Sequence, residues 1–257
     1  MLSGTFKKFV NERIRSKLPR IFNLSPAIVQ VYRGGDWETS FSIVNFPSFF
    51  APTSSGVYNY RVSVRDENGT VCGTKNFSIK EKGSAEFDPS RWSSKQIGIG
   101  TIKVEIQPSG LFFARDRHLG VIRPQIYAHY QHAKSRSVGI VHPQTAELTK
   151  SAPRPAWASN QLISMENVTT IEVAQINPNP LQYDATLKLI DFETQQILLE
   201  RVVQIPPRGA LLSSLEMSKV SYKGKTAFLT IDRLPGANAK PLLFIERNGA
   251  SYFVMHS

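Results

Sequence analysis

From Ile28 onward, apolar and polar residues alternate with a period of two, and turn residues break the alternation every eight to twelve positions. Tyr60, Val62 and Val64 alternate, Asp66-Glu67-Asn68-Gly69 turns the chain, and Val71 to Ile79 brings it back. Asn-Gly between two such runs is a strong hairpin signal. The second half repeats the scheme. Tyr58–Asp66 aligns with Tyr183–Asp191 at an offset of 125, and Phe77, Ile79, Lys82 and Gly83 align with Val203, Ile205, Arg208 and Gly209 at 126. Ile102, Val104 and Ile106 align with Ala227, Leu229 and Ile231, Arg123-Pro124 with Lys240-Pro241, and 137–142 with 251–256, while Asn45 and Asn177 end equivalent early strands. The pattern predicts an all-β fold of two tandem immunoglobulin-like antiparallel β-sandwiches, over 27–142 and 158–257. Residues 143–157, with Pro143, Pro153 and Pro155, read as a semi-rigid linker.

The period changes only at the start of the chain. Phe6, Phe9, Val10, Ile14 and Leu18 recur at spacings of three and four, one stripe of a short amphipathic α-helix, with Lys7, Lys8 and Arg15 facing elsewhere. Thr5 can cap its start, and Pro19 stops it. Residues 1–26 are therefore expected to form a basic helix and connector. Such a helix can lie on an anionic membrane, dock into a partner's groove, or pack on its own domain.

Charge reinforces the first two roles. The 257-residue chain has a formal net charge of +11. Six basic and one acidic residue place +5 on residues 1–26; residues 27–150 carry +5 and residues 151–257 only +1. At 41% apolar and 20% charged, the composition excludes wholesale disorder. A single cysteine, Cys72, excludes an internal disulfide and reads as a small core hydrophobe. With no secretory leader pattern and no uncharged apolar run long enough to span a bilayer, a cytoplasmic protein with peripheral membrane attachment is expected. The acceptor patterns at Asn68, Asn76 and Asn167 are then fortuitous.

The strand spacing carries a family resemblance, clearest in the second copy. Its extended strand, turn at Asp191, return strand ending Ile205-Pro206-Pro207-Arg208 and closing pair of strands resemble the small β-sandwich of the sensory rhodopsin transducer family. The resemblance implies a non-enzymatic, oligomerising sandwich acting by contact, and it carries over no functional residue.

Familiar catalytic patterns are not found. Gly98-Ile99-Gly100 lacks the later glycine, lysine and helix of a phosphate loop, and no nucleophile elbow or zinc spacing occurs. His118, His129, His132 and His142 concentrate near Arg115, Arg117 and Arg123, the one place where a metal or acid-base site could assemble. However, an odd separation puts His129 and His132 on opposite faces of a strand. Trp37, Trp92 and Trp157 fall at strand ends or in the linker, where indoles either plug a sandwich or stack on sugars. The loop Phe46-Pro47-Ser48-Phe49-Phe50 is either tucked under a sheet or exposed for contact.

The resulting expectation is a non-catalytic scaffold or adaptor without cofactor or metal. Phe6, Lys7, Lys8, Phe9, Val10, Ile14, Arg15 and Leu18 would contact a protein partner or an anionic membrane. Trp37, Trp92, Arg123, Tyr127 and His129 form a candidate ligand site, with a glycan as the alternative ligand. A metal-dependent enzyme centred on His118 to His142 ranks third. A basic surface without a recognisable nucleic-acid module does not support specific nucleic-acid readout, and exposed edge strands leave homo-oligomers open.

Overall fold

The computed structural model describes residues 27–49, 57–107, 124–136, 138–142, 145–147, 157–220, 222, 224–234 and 240–256. The expected N-terminal helix, His118 and Arg123 lie outside the described residues. In the first half, β1 (Ile28–Arg33), β2 (Trp37–Val44), β3 (Val57–Arg65), β4 (Val71–Lys80) and β5 (Ser84–Phe87) are followed by β6 (Ile99–Gln107), β7 (Gln125–His132), β8 (Val138–Val141) and β9 (Thr145–Ala146). The second half contributes β10 (Trp157–Ser164), β11 (Val168–Ile176), β12 (Tyr183–Asp191), β13 (Ile197–Ile205), β14 (Ala210–Glu216), β15 (Thr226–Leu234), β16 (Leu242–Arg247) and β17 (Ser251–His256).

The fold is all-β with antiparallel sheets. Their orders are β4-β3-β6-β1-β9 and β5-β2-β7-β8 in the first half, then β13-β12-β15-β10 and β14-β11-β16-β17 in the second. Apart from β9, each order in one half reproduces the other. Among the described residues, no helix is long and apolar enough to cross a membrane.

The same polar clamp closes both halves. Asn45, fully buried, donates through Nδ2 to the Ile79 and Lys80 carbonyls, and its backbone N–H donates to Gly83 O. Asn177 donates to the Ile205 and Pro206 carbonyls, and its N–H to Gly209 O. Lys82 and Arg208, each before the clamped glycine, hold φ of 55° and 54°. Such left-handed backbone is uncommon outside glycine and is tolerated where surrounding bonds fix it. Turn chemistry also recurs. Asp66 Oδ1 accepts from the Asn68 and Thr70 amides, and Asp191 Oδ1 accepts from those of Glu193 and Thr194.

One alignment shifts. Val62 faces Val104 and Leu187 faces Ile231, so Ile102 and Val104 correspond to Leu229 and Ile231, two residues beyond the match read from sequence. An alternating strand slipped by two presents the same faces, so the pattern alone cannot fix the register.

The halves share a core. The sheet around β11 and β16 is apolar on both faces: Ile171, Val173, Leu243 and Ile245 enter the second-half core, whereas Ala174, Ile176, Leu242 and Phe244 join that of the first half. Phe244 meets Trp37 and Tyr130 edge-on, at centroid distances of 4.8 and 5.3 Å. Polar contacts extend this contact. Arg33 forks onto both Glu172 oxygens at 3.2 Å, and the Ala210 amide donates to Glu67 O.

The segment expected as a linker takes part directly. Thr145 and Ala146 pair with β1, carrying the first sheet past residue 142. Glu147 then lies buried among Arg65 at 2.7 Å, Lys103 at 2.7 Å and Arg208 at 2.8 Å. Burial alone would raise its carboxyl pKa, but the Lys103 hydrogen bond and the Arg65 charge overcome that effect and hold it below its ordinary value.

A polar cleft beside the open half of β2

Period-two alternation sets the outer surface of the second sheet in the first half. Glu38, Ser40 and Ser42 of β2 stand opposite Gln131, His129 and Tyr127 of β7. His129 Nε2 lies 3.2 Å from Ser42 Oγ. The facing wall comes from residues 88–97, whose course is set by Asp88. Its Oδ1 accepts from the Ser90 amide at 2.9 Å, capping the short 3-10 turn Pro89–Arg91, while Oδ2 accepts from Arg91 Nε at 3.3 Å. Lys95 on the same wall pairs with Asp66 Oδ2 at 3.1 Å, and that hydrogen bond, with the Glu67 charge, raises its pKa.

Between these walls lies a cleft of about 870 Å³, lined by Glu38, Thr39, Ser40, His129 and Gln131 on the sheet side and by Asp88, Arg91, Ser93 and Lys95 opposite. Tyr32, Trp37 and Ile97 add its apolar surface. The second half carries a smaller cleft, about 600 Å³, at the far end of β14, lined by Thr169, Thr170, Glu216, Tyr222 and Glu246.

Trp37 and His129 of the expected ligand site meet in this cleft. Trp37 is only 6% exposed, wedged edge-on against His132 and Phe244, so it offers no free ring face to a sugar. Trp92 lies behind the wall, its indole N–H donating to Asp88 O at 2.7 Å and its ring against Phe77 and Phe87. Tyr127 is half-buried on the outer face of β7, two residues from His129. Trp157 begins β10, and His142 is exposed just after β8.

The two strand histidines diverge. His129 faces the cleft side, whereas His132 is buried with its ring stacked on Tyr252. Burial lowers the His132 pKa, and its Nδ1 accepts from the Lys134 amide at 3.2 Å, which requires an unprotonated nitrogen. Among the described residues, no three His, Cys, Asp or Glu side chains come together as a metal site. Cys72 is half-buried, its Sγ 3.5 Å from Thr70 O. Phe46, in the 3-10 turn Phe46–Phe49, is 37% exposed.

No family model matches the chain, and no curated protein matches it. Solved structures with some likeness include an uncharacterized protein from Burkholderia cenocepacia, at 10% identity and a TM-score of 0.26, covering 96% of this chain and 91% of that one. A β-glucuronidase of glycoside hydrolase family 2 follows at 11% identity and 0.20, with 89% of this chain over 23% of that chain. A β-D-mannosidase from Dictyoglomus thermophilum shows 9% identity and 0.17, with 89% over 28%. This chain thus spans about a quarter of either glycosidase, and scores this low carry no argument about activity.

The Asp88–Ile97 wall was missed by the sequence reading. Its signal was present in Asp88-Pro89-Ser90, where a capping residue precedes a proline that cannot continue a hydrogen-bonded strand.

Proposed function

We propose that the protein is a non-catalytic adaptor of two tandem immunoglobulin-like β-sandwiches that binds a protein partner, held at an anionic membrane or partner surface by its basic N-terminal helix. The observation carrying the binding role is the polar cleft of about 870 Å³ beside β2. The shared core around Phe244 supports a scaffold whose halves act as one body. The charge count supports attachment, since residues 1–26 hold six basic residues and one acidic. A protein partner is favoured over a glycan because Trp37 and Trp92 spend their ring faces and indole contacts inside the protein.

The test of attachment compares the full chain with a form lacking residues 1–22, each mixed with vesicles containing phosphatidylserine. The full chain is expected to sediment with the vesicles and the shortened form to remain in solution with an unchanged thermal midpoint. Equal sedimentation of the two forms overturns attachment by the helix.

A further inference from the structure

The two halves differ at the β5 and β14 edge. β14 runs seven residues and pairs with β11 from Thr170 to Ile176, whereas β5 runs four and pairs with β2 only from Phe41 to Val44. With Asn45 set against Asn177, residues Glu38, Thr39 and Ser40 of β2 correspond to Thr170, Ile171 and Glu172 of β11. Those three second-half residues face Glu216, Leu215 and Ser214 of β14. In the first half the corresponding positions are, in the same order, Ser90, Pro89 and Asp88, where the chain turns away into the 3-10 turn. Proline in place of Leu215 has no N–H to give a neighbouring strand.

Backbone direction follows from bonds at the ends of β2. The Asn45 amide donates toward β5, to Gly83 O, and Asp36 O accepts from Ala133 on the β7 side. Odd residues of this regular strand therefore point toward the β5 side and even residues toward β7. The amide and carbonyl of Thr39 thus face the cleft that Thr39 lines. Tyr32 and Ile97 give that cleft its apolar surface, and Leu215, which pairs with Ile171 in the second half, is buried.

We infer that the half of β2 with no neighbour on its β5 side among the described residues, Glu38 to Ser40, accepts an extended segment of a partner protein as an added strand, in the position that Ser214–Glu216 occupies in the second half. The segment carries one aliphatic residue turned to Tyr32 and Ile97, and its neighbours on either side are polar, turned outward beside Glu38 and Ser40. Main-chain bonds to Thr39 supply affinity and the aliphatic position supplies selectivity. This inference rests on the protein-binding reading above and is independent of membrane attachment.

The probe is an N-terminally labelled fluorescent peptide with the sequence of residues 214–219, Ser-Leu-Glu-Met-Ser-Lys, which begins where the β5 pairing of β2 ends, titrated into the full chain. Saturable binding is expected, with slowed hydrogen exchange at the Thr39 amide. N-methylation at the peptide's leucine, whose amide would bond Thr39, should weaken binding by about tenfold or more, while N-methylation at the preceding serine should leave it unchanged. Absence of binding, equal effects of the two methylations, or a Thr39 amide already protected without peptide each overturns the inference. The last result would mean that this chain or a second copy fills the edge. Vesicle sedimentation reports on the helix alone, so it separates failure at this site from failure of attachment.

Discussion

The His132 imidazole lies flat on the Tyr252 ring, with centroids 3.5 Å apart and planes 9° from parallel. Tyr252 belongs to β17 and His132 to β7, so the stack joins the two halves. Burial lowers the His132 pKa; Lys134 adds to that, while Asp36, Glu246 and Glu172 pull the other way. The unfolded chain therefore takes up a proton more readily than the folded one. Stability from this site is whole above the ordinary value of 6.5 and declines as pH falls below it. Between pH 8 and 5 the wild-type melting temperature should fall further than that of His132→Phe, which keeps a ring in place and cannot titrate. Parallel falls would remove His132 as the cause.

Glu147 gathers three cations at one buried carboxylate. Glu147→Ala leaves Arg65 and Lys103 without that anion and should reduce unfolding free energy by about 3–5 kcal/mol in urea denaturation. Because the folded pKa of Glu147 is depressed, its contribution is whole above the ordinary value of 4.5 and disappears as pH falls through the folded value. The gap between wild type and Glu147→Gln should therefore narrow in acid.

The paired clamps predict matched losses. Asn45→Ala removes one donor each from the Ile79 and Lys80 carbonyls and takes the acceptor from the buried Tyr60 hydroxyl, which donates to Asn45 Oδ1 at 2.7 Å. Asn177→Ala removes one donor each from the carbonyls of Leu181, Ile205 and Pro206 and takes the acceptor from the Asn179 amide. Each substitution should destabilise the protein by about 2–3 kcal/mol in chemical denaturation, given the desolvation of unsatisfied groups. A change below about 0.5 kcal/mol at either site would show that water replaces the clamp there.

Two glycines should behave oppositely. Gly69 has φ of +80°, and a methyl there would strike Pro207 O of the second half, so Gly69→Ala should lower the melting temperature by several degrees. Gly98 has nothing within 4 Å of a Cβ placed on it. Gly98→Ala should be neutral within about 0.5 kcal/mol. Equal effects in differential scanning calorimetry would contradict the contact between the β3–β4 turn and residues 206–208.

Strands and hairpins were legible because one face of each met solvent: Trp37–Val44 alternates buried and less buried along its whole length. The junction between halves was less visible, since its partners are distant in sequence and each half reads as a self-sufficient core. The uninterrupted run Leu242-Leu243-Phe244-Ile245 held the missing signal, because a strand apolar at consecutive positions is covered on both faces. That second cover buries Trp37, which its position at a strand end left open to sugar stacking. Residues 143–157 were read from proline density, a local property, whereas the pairing of Thr145 with Val29 depends on a strand more than a hundred residues away.

The shortened β5 gives every molecule a built-in reference. One plan is executed twice, fully at β14 and truncated at Asp88-Pro89, so the amides of Ile171 and Thr39 form a matched pair within one polypeptide, one beside a strand and one beside a cleft. Their relative exchange rates report occupancy directly, without a separate control sample, because temperature, pH and concentration are shared by construction.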